Sequence, residues 1–354
     1  MNYIDKEIDN LNIFDGSSIN LYGRSKILDY KDKKQIFFGY TGTGFELIVE
    51  PININNELKA TLLTESDLYE HQYIKIYIDN KIDKVIELTN GEEEITLFKN
   101  LKMGKHTIKV IKMNELNTTK LYMSNLVGNN YKYYKRIYNP KRNIIEFYGD
   151  SLTAGYGNLG NPSVKAYLTN EQDGTMACAY LVANKLDYDP SIICFSGVSL
   201  TKSLSIFGLN IMDKYDTYDG IHTYNGENNI PSIVVINLGT NDNSGYLDIN
   251  TKEIDKINGI KEFINNYEIL VNYIKNKAPN CKIVSCYNMS FSFTKELLDA
   301  LNICVNNVNK KYGDNTCYMI GFKGDTNGSD GHPSYKAHKE YADILYKFII
   351  DKVI

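Results

Sequence analysis

Tryptophan is absent from the chain, and arginine occurs only at Arg24, Arg136 and Arg142. So few guanidinium groups make bidentate capture of phosphate or carboxylate scarce. A basic excess is missing too: net charge is −4 and the pI about 5.8. That argues against nucleic acid as the main partner, because phosphate binding needs a basic face. No apolar run approaches the roughly 20 residues of a membrane span, so no membrane partner is expected. The start, MNYIDKEIDNLNIF, lacks the charged-then-apolar layout of a signal peptide. Taken literally the protein is cytoplasmic; a secreted protein with its leader removed reads the same way. Tyr, Asn, Ile and Lys are abundant, a bias expected of AT-rich codon usage, so the 29 tyrosines are not by themselves a binding surface.

At about 150 residues per domain, 354 residues predict two domains. Apolar residues at 43% and charged residues at 23% exclude disorder, collagen and low-complexity scaffolds. Cores of this size need neither metals nor disulfides to hold them. Cys178, Cys194, Cys281, Cys286, Cys304 and Cys317 form no CxxC and lie mostly within apolar runs. They read as buried free thiols rather than as catalytic or zinc-binding groups.

The two halves differ in period. Apart from the first dozen residues, positions 1 to about 125 show almost no helical pattern. Short alternating runs recur instead: QIFFGY, FELIVEPI, YIKIYID, KVIEL, EITLF and HTIKVIKM. Turn signals such as Gly42-Thr43-Gly44, Asp79-Asn80 and Asn90-Gly91 separate them. This spacing predicts an antiparallel β-sandwich. The segment from Lys120 to Asn143 reads as the crossover, which sets the domains at 1–138 and 139–354. Beyond it, the apolar runs NIIEFYG, SIICFSG, SIVVINLG, KIVSCYN and CYMIGF alternate with amphipathic stretches. The last of these, PSYKAHKEYADILYKFIIDKVI, sets Tyr341, Ile344, Leu345 and Phe348 on one helix face. Such alternation predicts a parallel sheet covered on both sides, with its active site at the strand C-terminal ends.

Four polar marks fall at those ends. Gly149-Asp150-Ser151-Leu152 follows IIEFY, where a serine is raised above the sheet edge beside a helix N-terminus that favours negative charge; ordinary helix capping also explains it. Ser196-Gly197 follows IICF, where a glycine lets a main-chain N–H approach a ligand; a plain turn fits equally. Gly239-Thr240-Asn241-Asp242 follows VVINL. Asn241 could donate its NH₂ to an oxyanion and Asp242 could brace the loop, while an Asx turn is the simpler reading. In Asp330-Gly331-His332-Pro333-Ser334 the proline suits a first helical position, which leaves His332 on a loop facing the same edge. His71, His106, His222 and His338 read as non-catalytic, and the spacing of His332 and His338 is not a zinc pattern. The four marks together, at successive strand ends, carry more weight than any one.

The set GDSL, SG, GTND and DGHPS resembles the four sequence blocks of the SGNH (GDSL-type) hydrolases. INLGTND, the HPS before a helix, and the N-terminal GR…YTGTGFEL and LKMGKHTIKVIK are similar to carbohydrate esterase family 2 across nearly the whole chain. The resemblance implies a jelly-roll-like β-domain followed by a flavodoxin-like SGNH domain with a five-stranded parallel sheet. It implies removal of acetyl groups from acetylated plant carbohydrate, with no metal or cofactor. Ser151 would be the nucleophile and His332 the base and then acid; Ser151, Gly197 and Asn241 would form the oxyanion hole.

Two departures from that pattern matter. Many SGNH enzymes carry Asp three residues before the histidine, where this chain has Ser329; the candidate acid here is Asp330. A Ser-His dyad oriented by a main-chain carbonyl is a recognised variant in the esterase family. In an extended loop the Asp330 side chain turns away from the ring, so a backbone carbonyl or water is expected to take the ring proton, unless a tight turn at Gly331 reverses the direction. Members also often place an aromatic sugar platform directly before the histidine. Gly331 stands there, so stacking must come from another residue such as a tyrosine, or be weak. A long-chain lysophospholipase or thioesterase and a non-catalytic carbohydrate-binding protein are the rival classes. No aliphatic acyl pocket is signalled near the four blocks, which favours acetyl esters.

Overall fold

The chain divides into two units, Met1–Arg142 and Asn143–Ile354. The computed structural model describes residues 2–8, 11–16, 18–67, 70–164, 168–226 and 229–354; Met1, Asp9 and Asn10 of the opening segment lie outside them. In chain order the first unit holds β1 (Asn2–Ile8), β2 (Asn20–Tyr22), β3 (Lys26–Tyr30), β4 (Lys33–Phe38), β5 (Gly44–Pro51) and β6 (Glu57–Ser66). There follow β7 (Gln72–Ile78), β8 (Lys81–Leu88), β9 (Gly91–Lys99), β10 (His106–Lys112), β11 (Thr119–Asn129) and β12 (Tyr131–Asn139). One sheet has the order β1-β12-β5-β10-β7-β8 with β2 also on β5, and the other β3-β4-β11-β6-β9. All pairings are antiparallel. Alternation fills the core: Phe45, Leu47 and Val49 of β5 and Leu58, Ala60 and Leu62 of β6 join one buried cluster fed by both sheets.

The expected crossover at Lys120–Asn143 is corrected. β11 lies between β4 and β6, and β12 between β1 and β5, so this segment is sandwich, and the first unit ends at Arg142 rather than 138. Tyr131 and Tyr133 supply the apolar face of β12, packing on the core while Lys132 is exposed. The first dozen residues likewise hold a strand, β1, paired along its length with β12.

The second unit alternates strand and helix. Its strands are β13 (Ile144–Gly149), β14 (Asp189–Cys194), β15 (Ile233–Asn237), β16 (Lys282–Tyr287) and β17 (Cys317–Gly321), all parallel. The helices are α1 (Ser151–Ala154), α2 (Cys178–Leu186), α3 (Thr240–Leu247), α4 (Glu253–Lys277), α5 (Lys295–Tyr312) and α6 (Tyr335–Lys352). The sheet order β14-β13-β15-β16-β17 reverses direction at β13, the doubly wound arrangement of flavodoxin. β13 and β15 are buried at every position, as strands of a covered sheet must be, and the one charge among them, Glu146, accepts hydrogen bonds from Tyr148 and Ser191. On α6 the buried face is Ala337, His338, Tyr341, Ala342, Leu345 and Ile349. Ile344, expected on that face, is exposed: the helix seats its small alanines against the fold. All six cysteines are buried and free. Among the described residues no helix is long and apolar enough to cross a membrane.

The turn that ends β13 is tightly built. A Cβ at Gly149 would fall 1.9 Å from Thr153 Oγ1, which accepts a hydrogen bond from Asn237 Nδ2 at 3.0 Å. Gly149→Ala should therefore destabilise the protein by about 1–3 kcal/mol through overpacking. Urea unfolding checks this, and an unchanged midpoint would contradict the tight turn.

Candidate active site

Asp150 ends the strand in extended backbone and caps α1, its Oδ1 accepting the Leu152 N–H at 2.9 Å. Ser151 opens the helix, so its N–H has no intrahelical acceptor. The helix is a single turn closed by Gly155 at φ 77°, so its macrodipole is small. Any favour to negative charge here comes from individual N–H groups instead.

His332 lies across from Ser151, with Nε2 2.8 Å from Ser151 Oγ. Its Nδ1 lies 3.0 Å from the main-chain oxygen of Asp330. A carbonyl can only accept, so Nδ1 carries the ring proton and Nε2 is left bare to receive the serine proton. Burial pushes the imidazole pKa below its ordinary 6.5, partly opposed by the Asp330 carbonyl and the Asp330 charge.

The Asp330 carboxylate therefore does not orient the ring; its main chain does. Asp330 adopts φ 51° and ψ 40°, and Gly331 follows at φ 72°. Two successive left-handed residues fold the loop so that the carbonyl comes to Nδ1. Pro333 sits one residue ahead of the helix cap, which is Ser334, its Oγ accepting from Ala337 N–H at 3.3 Å. The proline thus stiffens the entry to α6 rather than opening the helix.

Gly197 and Asn241 come to the same cavity as Ser151 and His332. Gly197 holds φ 79°, a backbone conformation that favours glycine, and a Cβ there would meet the Phe207 ring at 3.1 Å. Asn241 spends one amide hydrogen on Val198 O at 2.7 Å, which fixes its side chain and leaves the other hydrogen available. Asp242, fully buried, accepts the N–H groups of Leu200 and Thr201 at 3.0 and 2.9 Å. Burial pushes its pKa up to about 6. It braces the loop that leads away from Gly197.

The strand ends supplying these groups are those of β13, β14, β15 and β17, so the four are not successive. The loop after β16 contributes Ser290, whose Oγ donates to Gly331 O at 2.9 Å, and Phe291. The cavity holds about 400 Å³, and Tyr156, Ile206, Phe207, Leu209 and Phe291 also line it. Phe207 is 61% exposed and Phe291 53%. The sequence reading missed this apolar wall; its signal was the pair of short runs SIFGL and SFSF in otherwise polar loops. Tyr156 packs on the His332 ring, centroids 4.3 Å apart. Of the other histidines, His338 is buried and accepts from Cys178 N–H at 3.2 Å, while His222 pairs with Asp219. Among the described residues no group of three or more His, Cys, Asp or Glu side chains is placed to hold a metal ion.

Because burial dominates its environment, His332 should titrate below 6.5 in the folded protein. Imidazole proton resonances followed through a pH series measure this directly; a midpoint at or above 6.5 would contradict the half-buried, neutral ring.

Residues 145–345 match the family of GDSL-like lipases and acylhydrolases, and residues 22–131 match the carbohydrate esterase 2 N-terminal domain. A cellulase/esterase, CelE, of Acetivibrio thermocellus is 31% identical over 229 residues, 60% of this chain and 26% of that protein. The chain thus spans about a quarter of the length of that relative. An acetylxylan esterase / glucomannan deacetylase of Cellvibrio japonicus is 26% identical over 306 residues, 80% of this chain and 79% of that one. A family two carbohydrate esterase from Clostridium thermocellum, solved with cellohexaose, shares the fold with a TM-score of 0.79 at 23% identity, covering 94% of this chain and 98% of that one. With both of its units matched, the chain belongs to the GDSL-like lipase/acylhydrolase family, in the branch that carries the carbohydrate esterase 2 N-terminal domain.

Proposed function

We propose that this protein is a serine esterase that removes acetyl groups from acetylated plant polysaccharide or oligosaccharide of the xylan or glucomannan type. The observation that carries the reading is the 2.8 Å contact of Ser151 Oγ with a bare His332 Nε2. The names of the curated relatives, a cellulase/esterase and an acetylxylan esterase / glucomannan deacetylase, support the substrate class.

Ser151 Oγ attacks the acetyl carbonyl as His332 Nε2 takes its proton. The oxyanion is held by the N–H groups of Ser151 and Gly197 and by the second amide hydrogen of Asn241, each typically worth about 10²–10³ in rate. His332 returns the proton to the departing sugar oxygen, leaving acetyl-Ser151. Water, deprotonated by the same nitrogen, then releases acetate. An alkoxide is a good enough leaving group for a dyad, so the reaction needs no carboxylate on the ring. The exposed faces of Phe207 and Phe291 suit the C–H faces of a pyranose, in place of the aromatic residue that Gly331 lacks.

The apolar wall of Ile206, Phe207 and Leu209 favours a second reading, an acylhydrolase for longer chains. Aryl esters separate the two. Acetyl esters should exceed octanoyl esters at least tenfold in kcat/KM, and comparable constants would point to the second reading. Ser151→Ala should abolish acetate release from acetylated xylan or glucomannan with the fold intact; substantial residual turnover would remove the serine from its role.

Asp330→Asn should lower kcat only several-fold, because the carbonyl that meets Nδ1 is retained. In serine proteases the same change at a true triad acid costs about 10⁴, and a loss of that order here would refute the dyad.

A further inference from the structure

We infer that Glu171 is a positioning residue for the His332 base, acting through the hydroxyl of Ser329. This rests on the reading of Ser151 and His332 as nucleophile and base.

The ring is oriented by one main-chain carbonyl, and that carbonyl belongs to a residue in left-handed backbone, which side chains other than glycine adopt reluctantly. Something must hold the turn. Ser329, just before it, is fully buried, and its Oγ donates to Glu171 Oε2 at 2.6 Å, a short charge-assisted bond. Its carbonyl accepts the His332 N–H at 3.0 Å, so the same residue closes the turn on which the imidazole sits.

The partner segment is shaped for this contact. A Cβ at Gly160 would fall 1.7 Å from Ser329 Oγ and 2.9 Å from the Glu171 carboxyl carbon. Only glycine leaves room for the pair. Main-chain bonds flank it: Ser329 N–H to Gly157 O and Asp330 N–H to Val164 O, each at 2.9 Å, and Leu159 N–H to Glu171 O at 2.9 Å. Gly157 and Val164 therefore hold the histidine loop through backbone, and Glu171 with Ser329 adds a side-chain link to it. A carboxylate is thus present beside the place three residues before His332, but it acts on the turn rather than on the ring.

Without Glu171, the Ser329 hydroxyl would be a buried donor lacking its acceptor, and the turn would shift to find one. Displacing a catalytic group by about 1 Å can cost 10²-fold in rate. The Asp330 carbonyl is the group that would move.

The test compares Glu171→Ala, Glu171→Gln and Ser329→Ala in the full chain, with an aryl acetate as substrate and Ser151→Ala as control. Glu171→Ala should lower kcat by about 10- to 100-fold with KM within about twofold. The acid limb of its kcat/KM profile should move up towards 6.5, because a loosened loop admits water to the ring. Glu171→Gln, which keeps an acceptor, should restore kcat to within about threefold of the parent. Ser329→Ala deletes the donor with little change in volume and should reproduce the Glu171→Ala effect; it carries the test if the glutamate variant does not fold. A folded Glu171→Ala or Ser329→Ala with unchanged kcat and pH profile would overturn the inference, as would a lowered Tm alone. A glutamine variant as impaired as the alanine one would also overturn it, since charge rather than hydrogen bonding would then matter. Turnover surviving in Ser151→Ala would instead overturn the reading on which the inference rests.

Discussion

A neutral imidazole with one bare nitrogen is the condition on which the site depends, and the hydrogen bond from His332 Nδ1 to the Asp330 carbonyl at 3.0 Å secures it. The bond fixes the tautomer. Burial of the ring disfavours the charged form and keeps Nε2 available near neutrality. A carbonyl lends the transient imidazolium less stabilisation than a carboxylate would, which suits cleavage of an ester better than of an amide. The rest of the second unit serves to keep that carbonyl and the serine in register.

The doubly wound sheet does this by convergence. β13 and β14 are paired through Gly149 and Cys194, so the serine and Gly197 turns leave the sheet side by side. β13 and β15 are paired through Gly149 and Asn237, which brings the Asn241 turn to the serine's other flank. The histidine comes from beyond β17, at the far side of the sheet, and its loop must be carried back to Ser151. Contacts with 157–164 and with Ser290 do this. The groups nearest the reversal of strand order are thus held by the sheet itself, and the one furthest away is held by loops.

That difference explains what could be read in the sequence. The strands of the second unit are short, mostly apolar runs alternating with amphipathic helices, and the loops after β13, β14, β15 and β17 carry Ser151, Gly197, Asn241 and His332. β12 was harder, because Tyr131 and Tyr133 supply its core face and its other positions are mostly charged or polar. α3, TNDNSGYL, has no apolar period; it forms because Gly239 starts it and Asn243 ties it to Ser292 and Thr294. Asp330 shows the limit most clearly. Its side chain advertised a carboxylate, while its contribution is a main-chain oxygen set by a backbone angle that no residue name records. Phe207 and Phe291 stayed hidden for another reason: they are exposed loop residues, with no periodicity to mark them.

The central claim is that Ser151 carries the acyl group, and trapping that intermediate tests it most directly. Rapid acid quench during turnover of an acetylated xylo-oligosaccharide, followed by peptide mass spectrometry, should find a single acetyl increment on the peptide containing Ser151. The increment should appear within the first turnover and vanish as substrate is consumed. Turnover with no acetyl increment on that peptide, or with the increment on another residue, would contradict the account.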